Sequence, residues 1–116
     1  DPARLLLDAR TAGRFTGAAP APVDPRPGHI PGARNAAWQD NLDDTGRFAA
    51  PEALRARFSA LGADTAATVT VYCGSGVTAC HDLLALELAG FTGARLYPGS
   101  WSAWGADASL PAQTGG

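Results

Sequence analysis

Cys73 stands where a chain can build a sulfur nucleophile. Before it runs Val69-Thr70-Val71-Tyr72, an alternation of β-branched and aromatic residues that predicts a buried strand. After it come Gly74-Ser75-Gly76 and then Val77, Cys80, Leu84 and Leu88, with Leu83 and Phe91 beside them. That spacing predicts a helix from about Val77 to Ala89, ended by Gly90. The cysteine therefore falls at the carboxyl end of a strand, the edge where open α/β sheets build their sites. Gly74 and Gly76 accept backbone angles that other residues resist. A loop of Gly74, Ser75, Gly76, Val77 and Thr78 can turn its N–H groups inward as an anion cradle. The following helix adds the positive end of its dipole. Such surroundings favour a thiolate at Cys73 and would hold a sulfur-bearing anion beside it. The plain alternative is a structural cysteine closing a strand, because free cysteine is among the most buried residue types. The loop and the helix start together favour the nucleophile.

The elements that must position this loop can be read in order. Arg4-Leu5-Leu6-Leu7-Asp8 predicts a first buried strand, and Ala9-Arg10-Thr11 leads into a helical turn towards Phe15. Residues 17–27, rich in Ala, Pro and Gly, predict an irregular loop. Asn35 to Trp38 predicts a short strand, and the polar run Gln39 to Arg47 a surface crossing. Pro51 to Gly62 carries proline in its first turn and glycine at its end, with Leu54, Phe58 and Leu61 on one face. Arg55 and Arg57 are placed on the solvated side. Cys80 is read as a small core residue and His81 as structural or surface, since a helix aimed at Cys73 carries its later turns away. Gly93 to Tyr97 predicts the last strand, Trp101 and Trp104 core lids beside the loop, and Gln113 to Gly116 a disordered tail. Strands alternating with helices imply a parallel α/β sheet.

Composition narrows the function. The 116 residues predict one domain, 1–116, and 46% hydrophobic content suits a modest core. A net charge of −2 with no basic tract argues against nucleic acid. No apolar run approaches the length of a membrane span. Cys73 and Cys80 do not form a secreted disulfide framework, so a reduced cytoplasm is the simplest setting. Metal ligands at zinc spacing are absent. The chain opens on Asp1 rather than methionine, which leaves room for a preceding segment.

Three stretches carry a family resemblance. Cys73-Gly74-Ser75-Gly76-Val77-Thr78-Ala79 resembles the active-site loop of the rhodanese superfamily, in its 3-mercaptopyruvate sulfurtransferase branch. Gly28-His29-Ile30-Pro31-Gly32-Ala33 resembles the early signature, and Tyr97-Pro98-Gly99-Ser100-Trp101-Ser102-Ala103-Trp104 the C-terminal one. Their order and spacing fit over nearly the whole chain. The resemblance implies an α/β rhodanese-like fold, with about five parallel strands and helices on both faces. It makes Asp8 a loop-holding residue and His29 a structural one rather than a general base. It places Arg14 at the active site, pairing with the donor's anionic group, a role that suits a planar guanidinium. Where some mercaptopyruvate enzymes carry a second substrate arginine, this chain has Val23; Arg26, three residues on, is the candidate substitute. Pro98 and Ala103 also depart from the pattern, standing where aspartate and an acidic residue are common.

The implied chemistry is sulfur transfer through a Cys73 persulfide, from a small sulfur-donor anion to a thiophilic acceptor such as cyanide, a thiol or another protein. Neither a metal nor an organic cofactor is required. Gly74 and Ser75 offer no side-chain cation, which tilts the donor towards 3-mercaptopyruvate over the thiosulfate dianion. Ser75 is expected to polarise the donor or relay a proton, its plain role being to cap the next helical turn. A related phosphatase chemistry needs an arginine six positions after the cysteine, and position 79 is alanine. A non-catalytic rhodanese-like interaction or regulatory domain is the other alternative, with a persulfide relay to a partner protein between the two. The resemblance is to the C-terminal, catalytic half of a two-domain enzyme, whose inactive N-terminal rhodanese domain is missing here.

Overall fold

A computed structural model of the chain describes residues 4–64, 66, 68–74 and 78–115. Four parallel strands form the sheet in the order β2-β1-β3-β4. They are β1 (Arg4–Asp8), β2 (Arg34–Asn35), β3 (Thr68–Tyr72) and β4 (Arg95–Leu96). The helices are α1 (Ala12–Thr16), α2 (Pro51–Ala60), α3 (Ala79–Leu88) and α4 (Ser100–Trp104), with a 3-10 turn at Trp38–Asn41. The expected α/β parallel architecture is present with one strand fewer than about five. The expected strand over Asn35 to Trp38 shrinks to a two-residue β2, and Trp38 instead opens the 3-10 turn.

Strand alternation divides the core. Leu5 and Leu7 of β1 and Val69 and Val71 of β3 face α2 and α3, packing with Leu54, Phe58, Ala85 and Leu86. Leu6 and Tyr72 face the other way, into a smaller cluster with Phe15, Ile30, Ala33 and Trp101. The register pairs Leu7 with Val71 and Asp8 with Tyr72, so β1 and β3 end together. Whatever follows Tyr72 therefore meets whatever follows Asp8.

Helix α3 lies on the sheet by a different face from the one its leucines suggest. Ala79, Asp82, Ala85 and Leu86 are buried. Cys80 is exposed, as are Leu84 and Leu88. The sequence carries two overlapping stripes, and the one with the small alanines is buried, because alanine lets a helix approach a sheet closely. Asp82 interrupts that stripe and hides it from a reading of hydrophobic period. Cys80 is thus not a core residue.

Asp82 sits in a polar cluster under α2. Asn41 Nδ2 donates to Asp82 Oδ1 at 2.7 Å, while Oδ2 has no hydrogen-bond partner among the described residues. Arg57 donates to Asn41 Oδ1 and, at 2.8 Å, to the Ala37 carbonyl. Arg57 is therefore half-buried in this cluster rather than solvated, and burial lowers its pKa. His81 is structural: Asn41 reaches its Nδ1 at 3.1 Å, and its ring stacks on Phe48. Gln113 and Gly115 are not part of a loose tail, and Gly116 lies outside the described residues. Gln113 pairs with His29 through both backbone bonds, and the Gly115 N–H donates to the Thr16 carbonyl at 2.8 Å.

Burial, outweighing the Asn41 hydrogen bond and the Arg57 charge, pushes the Asp82 carboxyl up to about 7. Between the ordinary carboxylate range and that value, the folded chain holds a proton that the unfolded chain has released. Stability should therefore fall as pH rises through this window. In Asp82→Asn the fall should flatten, so that the variant gains on the parent in urea midpoint from about pH 5 to about pH 8. Parallel midpoint curves for the two proteins would refute this.

Candidate functional site

The carboxyl ends of β1 and β3 assemble the site. Cys73 follows β3 directly and is 1% exposed. Its N–H donates to Ser100 Oγ at 3.1 Å, and the Ser100 hydroxyl donates in turn to the Tyr97 carbonyl at 2.8 Å. The N–H groups of Trp101 and Ser102 donate to the carbonyls of Cys73 and Gly74, each at 2.8 Å. The start of α4 is thus clasped to the cysteine segment by three hydrogen bonds. Ser100 holds φ +53°, a left-handed angle that costs a non-glycine residue about 1 kcal/mol or more. The clasp is what keeps it there. Neither Cys73 nor Cys80 is in a disulfide.

Behind this stands a line of buried charges. Arg10 Nε lies 3.1 Å from both oxygens of Asp8, and its Nη2 reaches Asp8 Oδ2 at 2.7 Å and the Gly28 carbonyl at 2.6 Å. Both side chains are fully buried. The Arg10 guanidinium lies over the Trp101 ring, 4.9 Å from its centroid. Asn35 Nδ2 donates to the carbonyls of Asp8 and Arg10. Asp8 therefore holds loops together, as expected, through Arg10. Gly28 is required where it stands: its φ is +102°, and a Cβ there would collide with the Gln113 carbonyl.

Arg14 brings a charge to the cysteine. A Cβ on Gly74 would lie 2.8 Å from Arg14 Nη2, so the guanidinium covers the residue next to Cys73. Arg14 Nε and Nη2 donate to the Asp24 carboxylate at 3.2 and 2.7 Å. This hydrogen bond raises the Arg14 pKa against partial burial, and the negative charges of Asp24, Asp8 and Cys73 act in the same direction.

The other expected site residues fall as follows. Ser75, Gly76 and Val77 lie outside the described residues, and with them most of the expected cradle. Thr78 is exposed at the start of α3. The Arg26 guanidinium is bonded to the carbonyls of Leu110 and Asp107 and lies over Trp101. Val23, where the resembling enzymes carry their second arginine, is 77% exposed. His29 Nδ1 lies 2.6 Å from the Phe15 carbonyl and its ring stacks on Phe15, a structural role. Trp101 is fully buried beside the cysteine segment, as a lid should be. Asp24, Arg10 and Ser100 were not singled out by sequence; Asp24 lies in an irregular loop with no period to mark it. Two surface grooves, one around Phe91 and one around Trp104, are lined by neither Cys73 nor Arg14.

Comparison with known proteins decides the family: the rhodanese-like domain model matches residues 1–107. The chain belongs to the rhodanese-like domain family. It is 55% identical over 115 residues to a Pseudomonas aeruginosa protein named "Probable 3-mercaptopyruvate sulfurtransferase". It is 46% identical over 110 residues to a Mycobacterium tuberculosis protein named "Putative thiosulfate sulfurtransferase SseB". These matches cover 98% and 95% of the chain but only 40% and 38% of the relatives' lengths, so this rhodanese-like chain spans well under half of the proteins it matches. The crystal structure of Tum1 protein from Saccharomyces cerevisiae aligns with a TM-score of 0.79 at 34% identity, over 96% of this chain and 40% of that one. Among the described residues, no helix is long and apolar enough to cross a membrane.

The α4 clasp makes a prediction. Ser100→Ala removes both bonds of the hydroxyl and strands a buried N–H, which should cost about 1–3 kcal/mol. A urea unfolding curve with a lowered midpoint and an unchanged slope would show it; an unmoved midpoint would mean that the clasp adds nothing.

Proposed function

We propose that this domain transfers sulfur through a Cys73 persulfide, and that 3-mercaptopyruvate is the preferred donor. The observation that carries the reading is the Arg14 guanidinium lying over Gly74, one residue from the cysteine. A monoanionic carboxylate seated on Arg14 brings the donor's sulfur towards Cys73. No second arginine stands at position 23, so a dianion such as thiosulfate finds less charge to match.

The Cys73 thiolate attacks the donor's sulfur; the new S–S bond forms as the C–S bond breaks. The electron pair stays with the carbon fragment, which takes up the proton of the donor's thiol and leaves as pyruvate. Ser75 is the candidate to relay that proton. N–H groups of the loop from Gly74 to Thr78 stabilise the terminal sulfur's charge. A thiolate or cyanide acceptor then attacks the outer sulfur and regenerates the Cys73 thiolate. Cys73 is 1% exposed, so the donor reaches it only when the cover over the cysteine opens locally. The P. aeruginosa relative extends well beyond the matched region, which supports the reading of this domain as the catalytic, C-terminal half of a longer enzyme. A reduced, cytoplasmic setting agrees with two cysteines that form no disulfide, one of them exposed.

Intact-mass measurement after adding 3-mercaptopyruvate should show the parent gaining one sulfur atom and Cys73→Ser gaining none. An equal gain in the variant would remove Cys73 from the chemistry. Faster loading from thiosulfate than from 3-mercaptopyruvate would overturn the donor preference alone.

A further inference from the structure

We propose that Asp24 is a positioning residue that holds Arg14 by one edge and turns its free end towards the donor's carboxylate. This rests on the reading of Arg14 as the donor-binding arginine. A guanidinium offers five N–H donors along its edges. Asp24 takes the Nε and Nη2 edge with two hydrogen bonds, at 3.2 and 2.7 Å. Arg14 Nη1 has no hydrogen-bond partner among the described residues, and the side chain is 24% exposed. Nη2, held by Asp24, stands 2.8 Å from where a Cβ on Gly74 would be, and the open Nη1 stands 3.9 Å from the same point, so both ends of the guanidinium lie within reach of the cysteine segment.

Asp24 is itself fixed. Its carboxylate is 2% exposed, and Oδ2 accepts the Ala21 N–H at 2.9 Å while the Asp24 N–H donates to the Ala21 carbonyl. On its far side Oδ1 lies 3.7 Å from Arg10 Nη1, a buried nitrogen with no hydrogen-bond partner among the described residues. Burial opposes ionisation of Asp24, but the Arg14 hydrogen bond, the Ala21 N–H and the two arginine charges outweigh it and lower its pKa. The carboxylate is therefore charged across the working range and is pinned by residues that do not touch the donor. A residue present only to neutralise Arg14 would weaken anion binding. One that orients Arg14 strengthens it, by removing the cost of fixing a long side chain. The two roles predict opposite signs.

Charge-selective alkylation of Cys73 in a Cys80→Ser background separates them without requiring turnover. Iodoacetate carries a carboxylate and iodoacetamide does not, so the ratio of their rates reports anion recognition beside the sulfur and cancels changes in accessibility. Asp24→Asn should lower that ratio about fivefold, as loss of a charge-assisted pair would. Arg14→Ala should lower it as much, Asp24→Asn added to Arg14→Ala should lower it no further, and Asp24→Glu should restore part of it. An unchanged or raised ratio in Asp24→Asn overturns the positioning role, as does an undiminished effect without Arg14. An unchanged ratio in Arg14→Ala instead refutes the underlying reading of Arg14. A Cys73 that resists both reagents until the chain unfolds shows a site closed to anions and refutes both.

Discussion

The buried pair of Asp8 and Arg10 is the constraint on which the rest of this domain depends. Two fully buried side chains of opposite charge are tolerated only when their hydrogen bonds are met. Here the carboxylate takes the guanidinium edge and the Arg10 N–H, and the guanidinium also reaches the Gly28 carbonyl. The loop that begins the early signature is thereby tied to the end of β1. Removing one partner of such a pair commonly costs about 3–5 kcal/mol, because the other charge is left buried alone. That is a large share of the stability of a domain this size.

From that pair, charge alternates outward: Asp8, Arg10, Asp24, Arg14. Each step is shorter than 4 Å, and exposure rises from fully buried at Asp8 to 24% at Arg14. The line converts a rigid core contact into a placed cation beside Cys73. The α4 clasp secures the other side of the cysteine through Ser100, Trp101 and Ser102. Trp101 joins the two, with Arg10 over its ring and its Nε1 donating to the Arg26 carbonyl at 2.9 Å. Arg26 bonds the carbonyls of Asp107 and Leu110, while Arg14 lies against Gly74.

What could be read from sequence follows a physical pattern. Strand β3, helix α2 and the start of β1 were legible because period and caps are local properties. The cysteine at the strand end was legible for the same reason. The buried face of α3 was not, because two apolar stripes competed and small size, rather than hydrophobicity, decided between them. Arg57 read as solvated because nothing within its helix announces Asn41 and Ala37, which come to it across the fold. Gln113 read as tail because its partner, His29, is remote in sequence. Asp24 shows the same limit at the site itself: Arg14 carried a recognisable motif, while the carboxylate that holds it lay in an irregular loop.

The central claim is that a held cation beside Cys73 favours its thiolate. The direct measurement is the pKa of Cys73, followed by thiolate absorbance in a Cys80→Ser background with and without Arg14. The account predicts a value below that of an ordinary cysteine, rising when Arg14 becomes alanine. A Cys73 pKa that is ordinary, or that does not move when Arg14 is removed, would contradict it.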